Sequence, residues 1–116
     1  MNSNQPVRLP NAEKAVIDLC KLRDYCLNPS HAEGRHKARL FATTLGIGRQ
    51  DADWLSAAIK SAIQKALVVY TEINPYGVRY TVDVALVRDN AQAVVRTGWM
   101  VRANEDFPRL VTCFVL

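Results

Sequence analysis

Histidine and cysteine are both scarce. Two histidines, His31 and His36, and three cysteines, Cys20, Cys26 and Cys113, occur among 116 residues. The cysteines are odd in number, form no Cys-x-x-Cys pair and sit among apolar neighbours, where a reduced thiol acts as a small hydrophobe. Neither a disulfide framework nor a zinc site is expected. His31-x-Glu33-x-x-His36 lacks the i, i+4 spacing of a metal-binding helix, and no Pro-Cys-x-x-Cys follows its His-x-Glu start as a zinc deaminase requires. A Gly-x-Ser-x-Gly turn is absent, which leaves a serine nucleophile without its usual setting. Paired carboxylates for glycoside chemistry have no evident partner in so basic a neighbourhood. Gly46-Ile47-Gly48 follows a helical pattern and lacks the later glycine and lysine of a phosphate loop. No metal and no cofactor is therefore expected. No apolar run approaches the ~20 residues of a membrane span, and the first eleven residues lack the basic-then-apolar order of a signal peptide. The expectation is a cytoplasmic protein with no membrane partner.

What is present fits one ordinary domain. The chain is 49% apolar and 22% charged, with a formal charge of +4, and its length allows a single core. The positive excess favours an anionic partner. Residues 1–12, with Pro6 and Pro10 among polar neighbours, read as a flexible arm, and residues 13–116 as one α+β domain.

Val16 and Ile17 are β-branched, so a short extended piece leading into a helix over Lys21 to Leu27 competes with one continuous helix. In either case Leu19, Leu22 and Cys26 can point inward together. Asn28-Pro29 ends this element. Ser30 can cap a helix that begins near Ala32 and runs to Leu45, where Gly46 supplies a left-handed stop. Its spacing puts Ala38, Phe41, Ala42 and Leu45 on one side and Arg35, His36, Arg39 and Thr43 on the remainder. A further helix opens at Gln50 or Asp51 and carries Trp54, Leu55, Ala58, Ile59, Ala62 and Ile63 as a buried stripe. From Leu67 the period becomes alternating. Breaks at 74–77, 88–90 and 104–108 divide four strands, and such short connections require antiparallel neighbours. The fold class is α+β, with N-terminal helices packed on one face of a four-stranded antiparallel meander.

The chemistry concentrates in Gly34-Arg35-His36-Lys37-Ala38-Arg39-Leu40-Phe41. From Arg35 to Arg49 there are four bases and no acid. Taken alone, a solvated basic face is the better explanation of such a helix, and it is the density of bases that favours a phosphate site. With Arg96, Thr97, Arg109 and Thr112 on the last two strands it becomes a constellation without acids. Cutting RNA without metal needs a base for the 2′-hydroxyl, an acid for the leaving oxygen and cations around the phosphorus, jobs suited to a histidine and several Arg or Lys groups. Each residue also has a plain structural reading: Thr97 and Thr112 as strand formers, Lys37 as solvated, Arg109 as the clamp of an acid such as Asp106.

The blocks Lys21-Leu22-Arg23-Asp24-Tyr25, Leu27-Asn28-Pro29-Ser30-His31, Gly34 to Arg39, Val95 to Trp99 and Pro108-Arg109-Leu110-Val111-Thr112 resemble an uncharacterised bacterial domain family of small stand-alone proteins and toxin C-termini. Its layout is similar to the BECR superfamily, which groups barnase, bacterial EndoU, colicin-type tRNases and RelE toxins. That resemblance implies metal-independent RNA cleavage in a toxin–antitoxin setting, with a histidine or lysine from the helical half and an arginine, serine or threonine from the strands. It implies His36, Lys37, Arg109 and Thr112 as catalytic residues and Arg35, Arg39, Arg96 and Thr97 as substrate-binding ones, with RNA and an acidic antitoxin as partners. The alternatives are a non-catalytic antitoxin or immunity partner, and an RNA-binding module for which Tyr76 and Phe107 are the main stacking candidates.

Overall fold

The computed structural model describes residues 7–116. Three helices precede a four-stranded antiparallel sheet of order β1-β2-β3-β4: α1 (Leu19–Lys21), α2 (Arg35–Leu45), α3 (Ala52–Ala62), β1 (Val68–Asn74), β2 (Gly77–Arg88), β3 (Ala91–Arg102) and β4 (Arg109–Val115). The architecture is the α+β meander that the change of hydrophobic period indicates. Of the arm expected over residues 1–12, the first six lie outside the described residues. The rest packs on the body: Leu9 is buried and Val7 O accepts the Val68 N–H at 2.7 Å.

The segment from Val16 to Cys26 combines both readings of the sequence. Val16 is extended and forms an isolated parallel bridge to Arg109. Asp18 then caps α1 by accepting the Cys20 N–H at 2.9 Å, and α1 continues into a π-helical stretch, Leu22–Cys26. Leu22 and Cys26 are fully buried, whereas Leu19 is exposed instead of sharing their face. A π-helical turn closes i to i+5 and holds more residues than an α-turn, so it shifts the i, i+3 register.

Helix α2 begins at Arg35 rather than near Ala32. No side chain caps it, Ser30 included; the Ser30 N–H is bound to Asn28 Oδ1 at 3.0 Å. In the turn just ahead of the helix, His31 Nδ1 accepts the N–H groups of Glu33 and Gly34, both at 3.0 Å, and the His31 carbonyl accepts the Arg35 N–H at 3.0 Å. Ala38, Phe41 and Leu45 are buried as expected, but Ala42 faces a surface groove. Gly46 ends the helix at φ 67°. Leu55 and Ile59 of α3 and Ile63 just after it face the core, while Trp54 is half-buried with the Arg88 guanidinium 5.0 Å above its ring.

Val82, Val84 and Leu86 of β2, Val95, Thr97 and Trp99 of β3, and Leu110, Cys113 and Val115 of β4 form the sheet face that meets the helices. In β4 the alternation is broken between Leu110 and Cys113, where the pairing slips from Trp99↔Leu110 to Gly98↔Thr112 and leaves Val111 as an extra residue. That bulge re-aims the outer edge of β4 beside α1.

Candidate functional site

A cleft of about 790 Å³ opens where the π-helical stretch, the start of α2 and the bulged edge of β4 meet. Its side chains include Lys37, Tyr25, His31, Lys21 and Thr112. Lys37 reaches from α2 to the strand: Nζ lies 2.9 Å from Thr112 Oγ1 and 3.4 Å from the Tyr25 hydroxyl. The same ammonium stands 4.7 Å from the Tyr25 ring centroid and 5.6 Å from that of Phe114, where the negative faces of the rings favour a cation. Among the described residues no carboxylate forms an ion pair with Lys37. It is a half-buried positive charge, fixed and available to an anion.

Local structure explains why these groups converge. Gly34 packs against the backbone of Tyr25 so closely that any Cβ there would overlap the Tyr25 carbonyl oxygen. This brings the mouth of α2 onto the π-helical stretch. The Tyr25 ring then meets the His31 imidazole edge-on, with centroids 4.7 Å apart. Because Nδ1 of His31 is an acceptor for two backbone N–H groups, a neutral His31 carries its proton on Nε2. The bulge at Val111 completes the wall: its carbonyl accepts from Lys21 Nζ at 3.3 Å, and the next residue is Thr112.

Behind the cleft, Cys26 and Cys113 are buried against each other, a pairing that their spacing in the chain did not suggest. Hydrogen bonding from Cys113 brings the Cys26 thiol down to about 7, against its burial and with help from Lys37 and Lys21. The same contact and burial push the Cys113 thiol up.

The other expected site residues are dispersed. His36, beside Lys37 in sequence, is exposed and lines neither the cleft nor the grooves around it. Arg109 lines an adjoining groove that shares Asp18, Lys21 and Val111 with the cleft. It clamps Glu105, not Asp106, through Nε and Nη2 at 2.9 and 2.8 Å, and its guanidinium lies 4.9 Å from the Phe107 ring. The hydrogen bond from Arg109 holds the Glu105 carboxyl below its ordinary value. Arg35 and Arg39 line a separate groove. Arg96 makes a two-pronged bond to Asp83 on β2 at 2.8 and 2.9 Å. Thr97 is fully buried, donating to Val82 O at 2.6 Å and accepting the Trp99 indole N–H at 2.7 Å. Thr97 thus holds the core together and is sealed from any substrate.

Sequence reasoning on chemistry missed Tyr25, His31, Lys21 and Asp18 as companions of Lys37. The Lys21 to Tyr25 block was visible, but only the π-helical geometry and the Gly34 contact bring it to β4.

Residues 8–116 match the model of a domain of unknown function, DUF6883. The chain belongs to the DUF6883 family. No curated protein sequence matches it. In structure, this DUF6883 domain is similar to a chain of the contact-dependent growth inhibition toxin–immunity protein complex from Klebsiella pneumoniae 342, with a TM-score of 0.68 and 14% identity over 87% of this chain and 99% of that one. At that identity the likeness establishes a shared fold. No helix among the described residues is long and apolar enough to cross a membrane.

Proposed function

We propose that this DUF6883 domain is a ribonuclease toxin of a bacterial toxin system, acting in the cytoplasm and cutting RNA at the Lys37 cleft. The observation that carries the reading is the Lys37 ammonium, fixed between Thr112 and Tyr25 at an open cleft with no carboxylate neutralising it. Attack of the ribose 2′-hydroxyl on the adjacent phosphorus places extra negative charge on the non-bridging oxygens, and preorganised donors at that point are worth several kcal/mol in the barrier. Lys37, the Thr112 hydroxyl and Nε2–H of His31 are those donors. Asp18, the cleft's carboxylate without an ion pair among the described residues, takes the 2′-hydroxyl proton. The Tyr25 hydroxyl gives a proton to the departing 5′-oxygen, and solvent restores both groups. Lys21 and Arg109 hold phosphates along the two joined grooves, and His36 is a rim residue. The products are a 2′,3′-cyclic phosphate and a 5′-hydroxyl.

The fold shared with a protein of a toxin–immunity complex supports a cognate inhibitor as partner, and complementary acidic charge on that inhibitor would speed the encounter. A second reading, the non-catalytic member of such a pair, is favoured by one observation. The cleft's imidazole has Nδ1 committed to two backbone N–H groups, and His36 stands outside, so neither histidine is placed as the base. Induction of wild type, Lys37→Met and His36→Ala in a bacterium without an inhibitor separates the two. The ribonuclease reading expects growth arrest and fragmented RNA with wild type and His36→Ala, and normal growth with Lys37→Met. Normal growth with all three overturns it.

A further inference from the structure

Helix α2 has a second working side. Arg35 and Arg39 lie one turn apart, and Lys37, two residues from each, projects about 200° around the axis from both. The arginines border a groove of about 470 Å³ between α2, the loop at Pro29 and the segment leading to α3. Its floor is aliphatic, made by Leu27, Ala38, Ala42 and Ile47. Arg49 stands on the far rim, tethered to Asp24 at 2.8 Å and to the Arg23 carbonyl at 3.3 Å. Arg35 and Arg39 have no ion pair among the described residues, and no carboxylate lines the groove.

An occupant must therefore bring negative charge at the rim and an apolar group for the floor. Nucleic acid meets only the first demand well. No aromatic ring lines the groove to stack a base, and single-stranded recognition depends on such platforms. An acidic protein segment meets both. An apolar floor with arginines at the rim matches the apolar core and polar rim of a protein-binding surface, where arginine is enriched.

We propose that this groove docks an acidic segment of a partner protein, one that seats an aliphatic side chain on Ala38, Ala42 and Ile47 and pairs its carboxylates with Arg35 and Arg39. The partner is the cognate inhibitor of the reading above, and its anchor lies on the opposite flank of α2 from the cleft. Inhibition then comes from the bulk of the partner around α2, not from a plug in the catalytic groove.

The test uses the full chain, isotope-labelled for NMR, and three probes: an acetylated Glu-Glu-Leu-Leu-Glu-Glu peptide, the same peptide with serine for leucine, and a short oligodeoxynucleotide, which lacks the 2′-hydroxyl and cannot be cut. The leucine peptide is expected to shift Ala38, Ala42 and Ile47, and the serine peptide to leave them in place. Arg35→Gln with Arg39→Gln should weaken the leucine peptide by ~10-fold or more, the loss of two charge-assisted contacts, while Lys37→Met leaves binding unchanged. RNA cleavage is read separately on the same double variant and is expected to persist. Three results overturn the proposal: no shift at these residues with the leucine peptide, equal shifts with the serine peptide, or preferential binding of the oligodeoxynucleotide there. If the chain cleaves no RNA at all, the ribonuclease reading fails while the peptide result still decides this one.

Discussion

Strands β3 and β4 each carry an arginine and a threonine that look interchangeable in sequence; both arginines hold a carboxylate, and the structure separates the threonines. Arg96 and Thr97 are spent internally, one on Asp83 and the other on Val82 and Trp99. Thr112 and Arg109 border open grooves, and Thr112 meets Lys37. The difference follows from position. β3 is a central strand, so Thr97 is covered by helices on its face and by strands on both sides. β4 is an edge strand with a bulge, so its residues can be reached from α1 and α2. A polar side chain on a sheet becomes available to a substrate where the sheet ends, not where the motif is densest.

The sharpest break of this comparison is Lys37→Met. The account expects kcat/KM for RNA to fall by ~10²-fold or more, as for the loss of one preorganised charge-stabilising donor, with an unchanged melting temperature; Arg96→Met should leave kcat/KM near wild type. Equal losses in both variants would erase the distinction between the strands. Next in size is Thr97→Val, which strands the buried Trp99 indole N–H and should cost ~1–3 kcal/mol of stability, measured by urea unfolding, with cleavage per folded molecule retained.

Gly34→Ala probes the junction that brings the helical half to β4. Its Cβ would press on the Tyr25 carbonyl, and the expected cost is ~1–3 kcal/mol together with reduced cleavage. Reduced stability with full cleavage would show that the Gly34 contact does not position Tyr25. The smallest effect concerns the Arg109–Glu105 clamp. Glu105 has a folded pKa below its unfolded one, so its contribution is present above the unfolded value of ~4.3 and is lost as pH falls through the folded one. The melting temperature of wild type should exceed that of Glu105→Gln slightly at pH 7 and converge with it as the medium is acidified through the folded value.

Much of the fold was legible from periodicity alone. The alternating run through Tyr80, Val82, Val84 and Leu86, the glycine stop at Gly46 and the turns at 74–77 and 88–90 are local signals that the structure repeats. The start of α2 was not, because the turn that leads into it is built on the His31 imidazole and no Ser30 cap forms. Lys37 and Thr112 were singled out by type, and their hydrogen bond spans 75 residues of chain. Tyr25, His31 and Asp18 were not read as parts of the same site, since a π-helical stretch and a one-residue bulge leave no periodic trace. Arg35 and Arg39 were read as binding substrate at the same site as Lys37, although the helix turns them to another groove.

The measurement that bears most directly on the Lys37 cleft is the chemistry of the ends it leaves. Purified wild-type protein incubated with RNA in EDTA should yield 2′,3′-cyclic phosphate and 5′-hydroxyl termini, and Lys37→Met should yield none above background. Fragments ending in a 3′-hydroxyl and a 5′-phosphate, or equal cleavage by Lys37→Met, would contradict the account.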